Sequence, residues 1–210
     1  MKRKGLFITL EGVDGCGKST QAKLLYNYLR RSGYKCILTR EPGGTPFGED
    51  IREILLDPSH KGISPTSETL LFESSRSVLV KDVILPHLEK GYIVISDRFS
   101  DATLVYQGFA GGENISFLKE LNKYASLGLM PDLTLVLDID AETGLKRSKC
   151  DLKNGAKDRM EKKSLAYHRR VRRGYLKLAS LERKRIKVIK VEDSVHDTQK
   201  RIRDEVLSIL

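Results

Sequence analysis

Gly12-Val13-Asp14-Gly15-Cys16-Gly17-Lys18-Ser19, with Thr20 after it, decides how the chain is read. The spacing fits Gly, any four residues, Gly, Lys, then Ser or Thr, without a mismatch. Leu6-Phe7-Ile8-Thr9-Leu10 upstream is a short apolar run with the composition of a buried strand. Downstream, Ala22, Leu25, Tyr28 and Leu29 recur at helical spacing between Lys18 and Arg31, and Gly33 supplies the stop. A glycine-rich turn between strand and helix lets successive backbone N–H groups converge on phosphate oxygens. The helix N-terminus adds partial positive charge. In such a loop the backbone of residues 12–20 cradles a nucleotide's phosphates. Lys18 reaches the β- and γ-phosphates, and the Ser19 hydroxyl is a ligand for Mg2+.

The same alternation continues along the chain. Further strands are expected at 35–39, 92–96, 133–138 and 186–191. Helices fit 49–56, 100–108, 114–127, 141–149, 161–181 and 195–209. Ser64-Pro65 has the form of an N-cap followed by proline at the first helical position, opening a long helix toward Glu89. The strands read as continuous apolar runs, as in a sheet covered on both faces. The expected architecture is one three-layer α/β domain, residues 1–210, around a parallel five-stranded sheet. Ligands of such sheets bind beyond the carboxyl ends of the strands, which directs attention to 12–18, 40–48, 97–107 and 138–160.

Composition narrows the function. The 210 residues are 40% hydrophobic and 31% charged, a globular balance. There is no run of 18 apolar residues, so no membrane span is expected. Cys16, Cys36 and Cys150 are too few and too scattered for a disulfide framework and fit a reducing, cytoplasmic setting. His60, His87, His168 and His196 show no ligand spacing, so no metal held by side chains alone is expected. Net charge is +10, with 21 Lys and Arg against 10 Asp and Glu in residues 141–210. That segment suits a polyphosphate substrate, a nucleic acid or an acidic surface, or is simply a solvated helix face. A guanine-reading Asn-Lys-x-Asp is missing, because Asn122-Lys123 is followed by Tyr124-Ala125. The basic segment also lacks the interleaved aromatics of a nucleic-acid groove.

Three other stretches carry chemistry. Asp97-Arg98-Phe99 follows a strand directly, so Asp97 and Arg98 stand at the carboxyl edge near the loop. There an arginine can clamp an acceptor phosphate, and an aspartate can hold Mg2+ or steady the arginine. Phe72 and Arg76 are four apart on the long helix and share a face, where a ring and a guanidinium can stack on and hydrogen-bond to a base. Tyr106-Gln107-Gly108 lies one short helix beyond Arg98.

Together these pieces resemble the thymidylate kinase family. The carriers are Gly-Val-Asp-Gly-Cys-Gly-Lys-Ser-Thr at 12–20, Thr-Arg-Glu-Pro-Gly-Gly at 39–44 and Leu-Phe-Glu-Ser-Ser-Arg at 71–76. Asp-Arg-Phe at 97–99, Tyr-Gln-Gly at 106–108, Pro-Asp-Leu-Thr at 131–134 and Asp-Arg-Met-Glu at 158–161 complete the set, in order. The resemblance implies a P-loop NTPase fold with a short mobile lid at about 148–160, and transfer of the γ-phosphoryl of ATP to dTMP with Mg2+. Phe72 is then expected to stack on thymine and Arg76 to bind its O4, with Thr103 and Gln107 along the base edge. Tyr106 and Asp14 border the deoxyribose, and Arg98 bridges the two phosphate groups. Arg40 and Arg52 are candidates on the acceptor-phosphate side, Pro42 is the pocket proline, and Arg147 lies over the donor nucleotide. Ser19 and Asp97 are the expected metal residues. The family also implies a homodimer, with no nucleic-acid or membrane partner. Two departures stand out. Ala102 replaces a frequent serine, and the lid between Arg147 and Arg159 carries Lys149, Lys153 and Lys157 where an arginine is common. Lys153, beside the turn-forming Asn154-Gly155, is the expected lid cation. The rival readings are another nucleoside monophosphate kinase, a nucleic-acid-binding P-loop ATPase and a non-catalytic nucleotide sensor.

Overall fold

β1 (Phe7–Gly12) is the middle strand of the sheet, and all six of its residues are buried. The computed structural model describes residues 4–60, 62–150, 159–160 and 162–210. Around β1 lie β2 (Cys36–Arg40), β3 (Ile93–Asp97), β4 (Leu133–Asp138) and β5 (Ile186–Lys190), in the order β2-β3-β1-β4-β5. Every pairing is parallel. The chain steps outward from β1 to β2, returns through β3 and crosses to β4, so the strand order reverses at β1. Its register sets Leu10 beside Asp97, and Asp97 beside Arg40. The ends of β1, β2 and β3 therefore form one rim, with the phosphate loop rising from its centre.

The helices are α1 (Lys18–Arg31), α2 (Pro46–Leu56), α3 (Pro65–Leu79), α4 (Leu85–Glu89), α5 (Ser100–Thr103), α6 (Ile115–Ala125), α7 (Ala141–Cys150), α8 (Leu165–Leu181) and α9 (Val195–Leu207). They cover both sheet faces. One apolar cluster joins Ile8, Leu10 and Ile95 to Leu25 and Leu29 of α1, Val171 and Tyr175 of α8, and Ile202 of α9. The other joins Phe7 and Val94 to Leu79, Leu88 and Phe99. That is the three-layer arrangement expected from the alternation.

Several boundaries differ from expectation for identifiable reasons. β2 and β5 alternate buried with exposed residues, because they are the sheet edges and are covered less completely than β1, β3 and β4. α2 starts at Pro46 rather than residue 49, since Thr45 caps it by accepting from the Gly48 N–H and Pro46 fills the first position. The long helix opens as expected, with the Ser64 hydroxyl accepting from the Ser67 N–H. It then widens into a π turn at Val80–Ile84 before α4. Pro86 has no N–H and would press on the carbonyl four residues back, and the wider turn accommodates it. A second π turn, Leu104–Ala110, replaces the second half of the helix expected at 100–108. α8 starts at Leu165, capped by Ser164, and α9 ends at Leu207.

Candidate functional site

A groove of about 760 Å3 runs along the carboxyl rim. Gly15, Gly17, Lys18, Ser19 and Thr20 line it. Phe72, Arg76, Thr103, Tyr106 and Gln107 line it too, as do Arg40, Pro42, Arg52, Asp97 and Arg98.

At the phosphate end, Gly17 occupies the N-cap of α1 in the left-handed region and offers no side chain to the first turn, which holds no acidic residue. The N–H groups opening α1 have no intrahelical partner and suit an anion. Val13 and Cys16 are buried in the core beneath, so they contribute backbone rather than side chain. Gly15 has a φ of +72°, and a Cβ there would collide with the carbonyl of Gly144 on α7. A Cβ on Gly144 would stand 2.5 Å from the Asp14 carbonyl oxygen. Two bare backbones thus press together where the loop meets α7. The Lys18 ammonium lies 3.7 Å from Asp14 Oδ1, and the Ser19 hydroxyl donates to Asp97 Oδ2 at 2.5 Å. One hydroxyl and one carboxylate beside an anion cradle are hard oxygen donors of the kind that suit Mg2+. Among the described residues no cluster of three or more His, Cys, Asp or Glu side chains offers a cage built from protein alone.

Arg98 stands at the junction. Its backbone is left-handed, with a φ of 76°. The Arg98 N–H donates to Leu10 O at 3.0 Å, and Ser96 Oγ donates to Arg98 O at 2.7 Å, which holds the turn. Its Nη1 donates to Gly12 O and Tyr175 Oη, both at 3.2 Å. Nη2 donates to Asp14 Oδ1 at 2.5 Å and Tyr106 Oη at 3.0 Å. These four acceptors match the four Nη hydrogens, and among the described residues none of them meets Nε–H. Burial alone would raise the Asp14 carboxyl, but the Arg98 and Lys18 cations outweigh it and hold Asp14 below its ordinary range. Glu11 beneath is fully buried. It accepts from the Phe99 N–H at 2.8 Å and the Tyr175 hydroxyl at 2.6 Å. Burial pushes its carboxyl up to about 7, against the pull of Arg98.

Phe72 is half-buried and lines the groove, whereas Arg76 is 2% exposed. Arg76 Nε and Nη2 donate to Glu41 Oε2 at 2.8 and 2.7 Å. Nη1 meets Glu73, Thr103 Oγ1 at 3.1 Å and Asn122 Oδ1 at 2.7 Å. This compensates the buried cation, and among the described residues one Nη2 hydrogen has no acceptor in this set. Burial would lower the Arg76 guanidinium, but Glu41 and Glu73 carry it above its ordinary value. The Thr103 hydroxyl donates to Glu73 at 2.9 Å, so it serves Arg76's support as well as the groove wall beside Ala102. Tyr106 Oη donates to Asp14 Oδ2 at 3.3 Å, which brings the expected sugar pair together. Arg40 pairs with Glu49 at 2.8 Å, and Arg52 Nη1 donates to Pro42 O at 2.9 Å.

Arg147 is exposed on α7 and is not among the groove-lining residues. Lys153 and Lys157 lie outside the described residues, as do most of 148–160 and the side chain of Lys149. Glu11, Glu41, Glu73, Asn122 and Tyr175 belong to the site's support, and sequence reasoning missed them. Glu73 precedes Arg76 by three residues, a helical neighbour the spacing alone would have found. The others come from distant parts of the chain.

A family model described as thymidylate kinase matches residues 10–202. The chain is 47% identical to a thymidylate kinase of Symbiobacterium thermophilum, covering 98% of this chain and 94% of the relative. It is 42% identical to one from Geotalea daltonii, covering 98% of each. Among solved structures, the crystal structure of thymidylate kinase from Ehrlichia chaffeensis superposes with a TM-score of 0.78 at 30% identity, covering 97% of this chain and 98% of that one.

Proposed function

Because the chain belongs to the thymidylate kinase family and is an ATP-dependent nucleoside monophosphate kinase, we propose that the groove seats the two nucleotides end to end for γ-phosphoryl transfer to dTMP. The observation that carries this reading is the continuity of one groove from Lys18 and Ser19, past Arg98, to Phe72, Arg76 and Gln107.

ATP phosphates rest on residues 12–20, with Lys18 drawn toward the transferring group. Ser19 and Asp97 would hold Mg2+, which would supply charge neutralisation at the phosphates. The acceptor phosphate is already an oxyanion, so no strong base is needed, and catalysis is alignment plus electrostatic stabilisation. Arg98 presents Nε–H between the two phosphate groups while Asp14, Tyr106 and Tyr175 keep its plane fixed. The thymine lies on Phe72, with its O4 toward the remaining Arg76 hydrogen. Tyr106 and Asp14 close the space beside the sugar C2′. Arg40 and Arg52 add positive charge on the acceptor side, and Pro42 forms its wall. Lid residues 148–160 complete the donor side, with Lys153 as the cation and Arg147 toward the adenine.

The enzyme works as a homodimer in this reading. Phe117 and Tyr124 are seven apart on one face of α6, 50% and 85% exposed, and α6 packs beside α3, where Leu70 is 50% exposed. An apolar face of that kind suits a second copy. A cytosolic setting suits the free thiols of Cys16 and Cys36.

The test is ADP release measured with a panel of dTMP, dUMP, UMP, CMP and GMP. Highest kcat/KM on dTMP is expected. Preference for a ribonucleotide would overturn the acceptor assignment.

A further inference from the structure

Gln107 is 5% exposed, and its side chain reaches both the groove and Glu68 of α3. Glu68 is 4% exposed and takes no part in the mechanism above. Its Oε1 accepts from Gln107 Nε2 at 2.9 Å and Lys163 Nζ at 3.4 Å, and its Oε2 from Arg159 Nη1 at 2.6 Å. Arg159 is itself fixed, its N–H donating to Leu56 O at 3.1 Å and its Nε to Leu55 O at 2.9 Å. Burial would raise the Glu68 carboxyl, but Lys163, Gln107 and Arg159 together hold it below its ordinary range. It is therefore an anion at neutral pH, with oxygens that only accept.

An acceptor-only partner settles which way round the Gln107 amide sits. The NH2 must face Glu68, and the carbonyl oxygen is the end left for the groove. A base meeting that oxygen with an N–H gains a hydrogen bond. A base meeting it with a lone pair places two acceptors against each other. Thymine carries a hydrogen on N3, whereas cytosine carries a lone pair there.

We propose that Glu68 is a specificity-determining positioning residue: anchored by Arg159 and Lys163, it locks the Gln107 amide oxygen toward the acceptor base and so selects N3–H pyrimidines against cytosine. This rests on the reading that Gln107 borders the base.

The test is kcat/KM for dTMP and dCMP, measured on wild type, Glu68→Gln, Glu68→Leu and Gln107→Leu. The ratio of the two substrates on one preparation does not depend on how much of the protein is folded. In Glu68→Gln a single amide oxygen is contested by Arg159 and Gln107, and in Glu68→Leu Gln107 has no acceptor at all. In both, the Gln107 amide is free to turn its NH2 to the groove. The dTMP-to-dCMP ratio should fall about tenfold in both variants, one hydrogen bond's worth of discrimination, with the ATP KM unchanged. An unchanged ratio in both, alongside a raised dTMP KM in Gln107→Leu, would overturn the role of Glu68 while keeping Gln107 at the base. Unchanged dTMP kinetics in Gln107→Leu would remove Gln107 from the base pocket, and the proposal with it.

Discussion

At Arg98 a long charged side chain sits on a left-handed backbone, a conformation that costs a non-glycine residue about 1–2 kcal/mol. Glu11, through the Phe99 N–H and Tyr175, is part of what holds it there. Arg98→Ala should lower kcat by about 10²-fold, the scale of a lost electrostatic clamp, and near-normal turnover would remove Arg98 from the mechanism. Phe72→Ala should raise the dTMP KM by ~10-fold or more, as loss of one aromatic stack does, with the ATP KM nearly fixed. A parallel rise in both would mark Phe72 as a packing residue. Glu11 gives a pH prediction. Its folded pKa of about 7 exceeds its ordinary 4.5, so the folded state binds this proton more tightly than the unfolded chain. The stability it confers is complete below about pH 4.5 and is lost as pH rises through 7, an effect of about 3 kcal/mol for a shift of that size. Thermal unfolding at pH 5 to about 8 should show Glu11→Gln losing less Tm than wild type. Curves that stay parallel would assign the slope elsewhere. Phe72 and Arg76 were legible in the sequence because helical spacing puts residues four apart on one face. Glu11 was not, since its partners Phe99 and Tyr175 lie 88 and 164 residues away.

Among elements, the phosphate loop and α7 approach each other closely. Gly15 and Gly144 meet backbone to backbone, so Gly15→Ala must either push α7 away or distort the loop. We expect that variant to raise the ATP KM and to lower unfolding stability by about 1–3 kcal/mol, the cost typical of overpacking. Unchanged ATP binding would show that the loop and α7 separate freely. If the proposed lid supplies the cation, single Lys→Ala variants at 149, 153 and 157 should single out one with reduced kcat and little change in dTMP KM. Wild-type kcat in the triple variant would assign the transition-state cation to Arg147, Arg159 or Arg98. Strand–helix alternation was readable throughout, because fully covered strands demand apolar runs and amphipathic helices demand a 3.6-residue period. The two π turns were not. Each keeps a helical hydrophobic pattern while changing the hydrogen-bond spacing, and pattern alone does not register that.

For the molecule as a whole, the apolar face on α3 and α6 predicts self-association. Phe117→Glu combined with Tyr124→Glu should shift sedimentation from dimer to monomer while leaving the fold intact by circular dichroism. An unchanged sedimentation coefficient would place any dimer contact elsewhere. The hydrogen bond from Tyr175 to Glu11 spans 164 residues. It also has a meaning in time. The first strand and the phosphate loop leave the ribosome well before the tyrosine that meets Glu11 and Arg98. At roughly 5–20 residues per second, the interval is on the order of ten seconds. During it the nascent chain holds a complete nucleotide-binding motif whose supporting carboxylate and, later, arginine lack that partner. Assembly of the working site is therefore deferred until α8 has been synthesised, and a chain released before residue 175 would carry the motif without the means to use it.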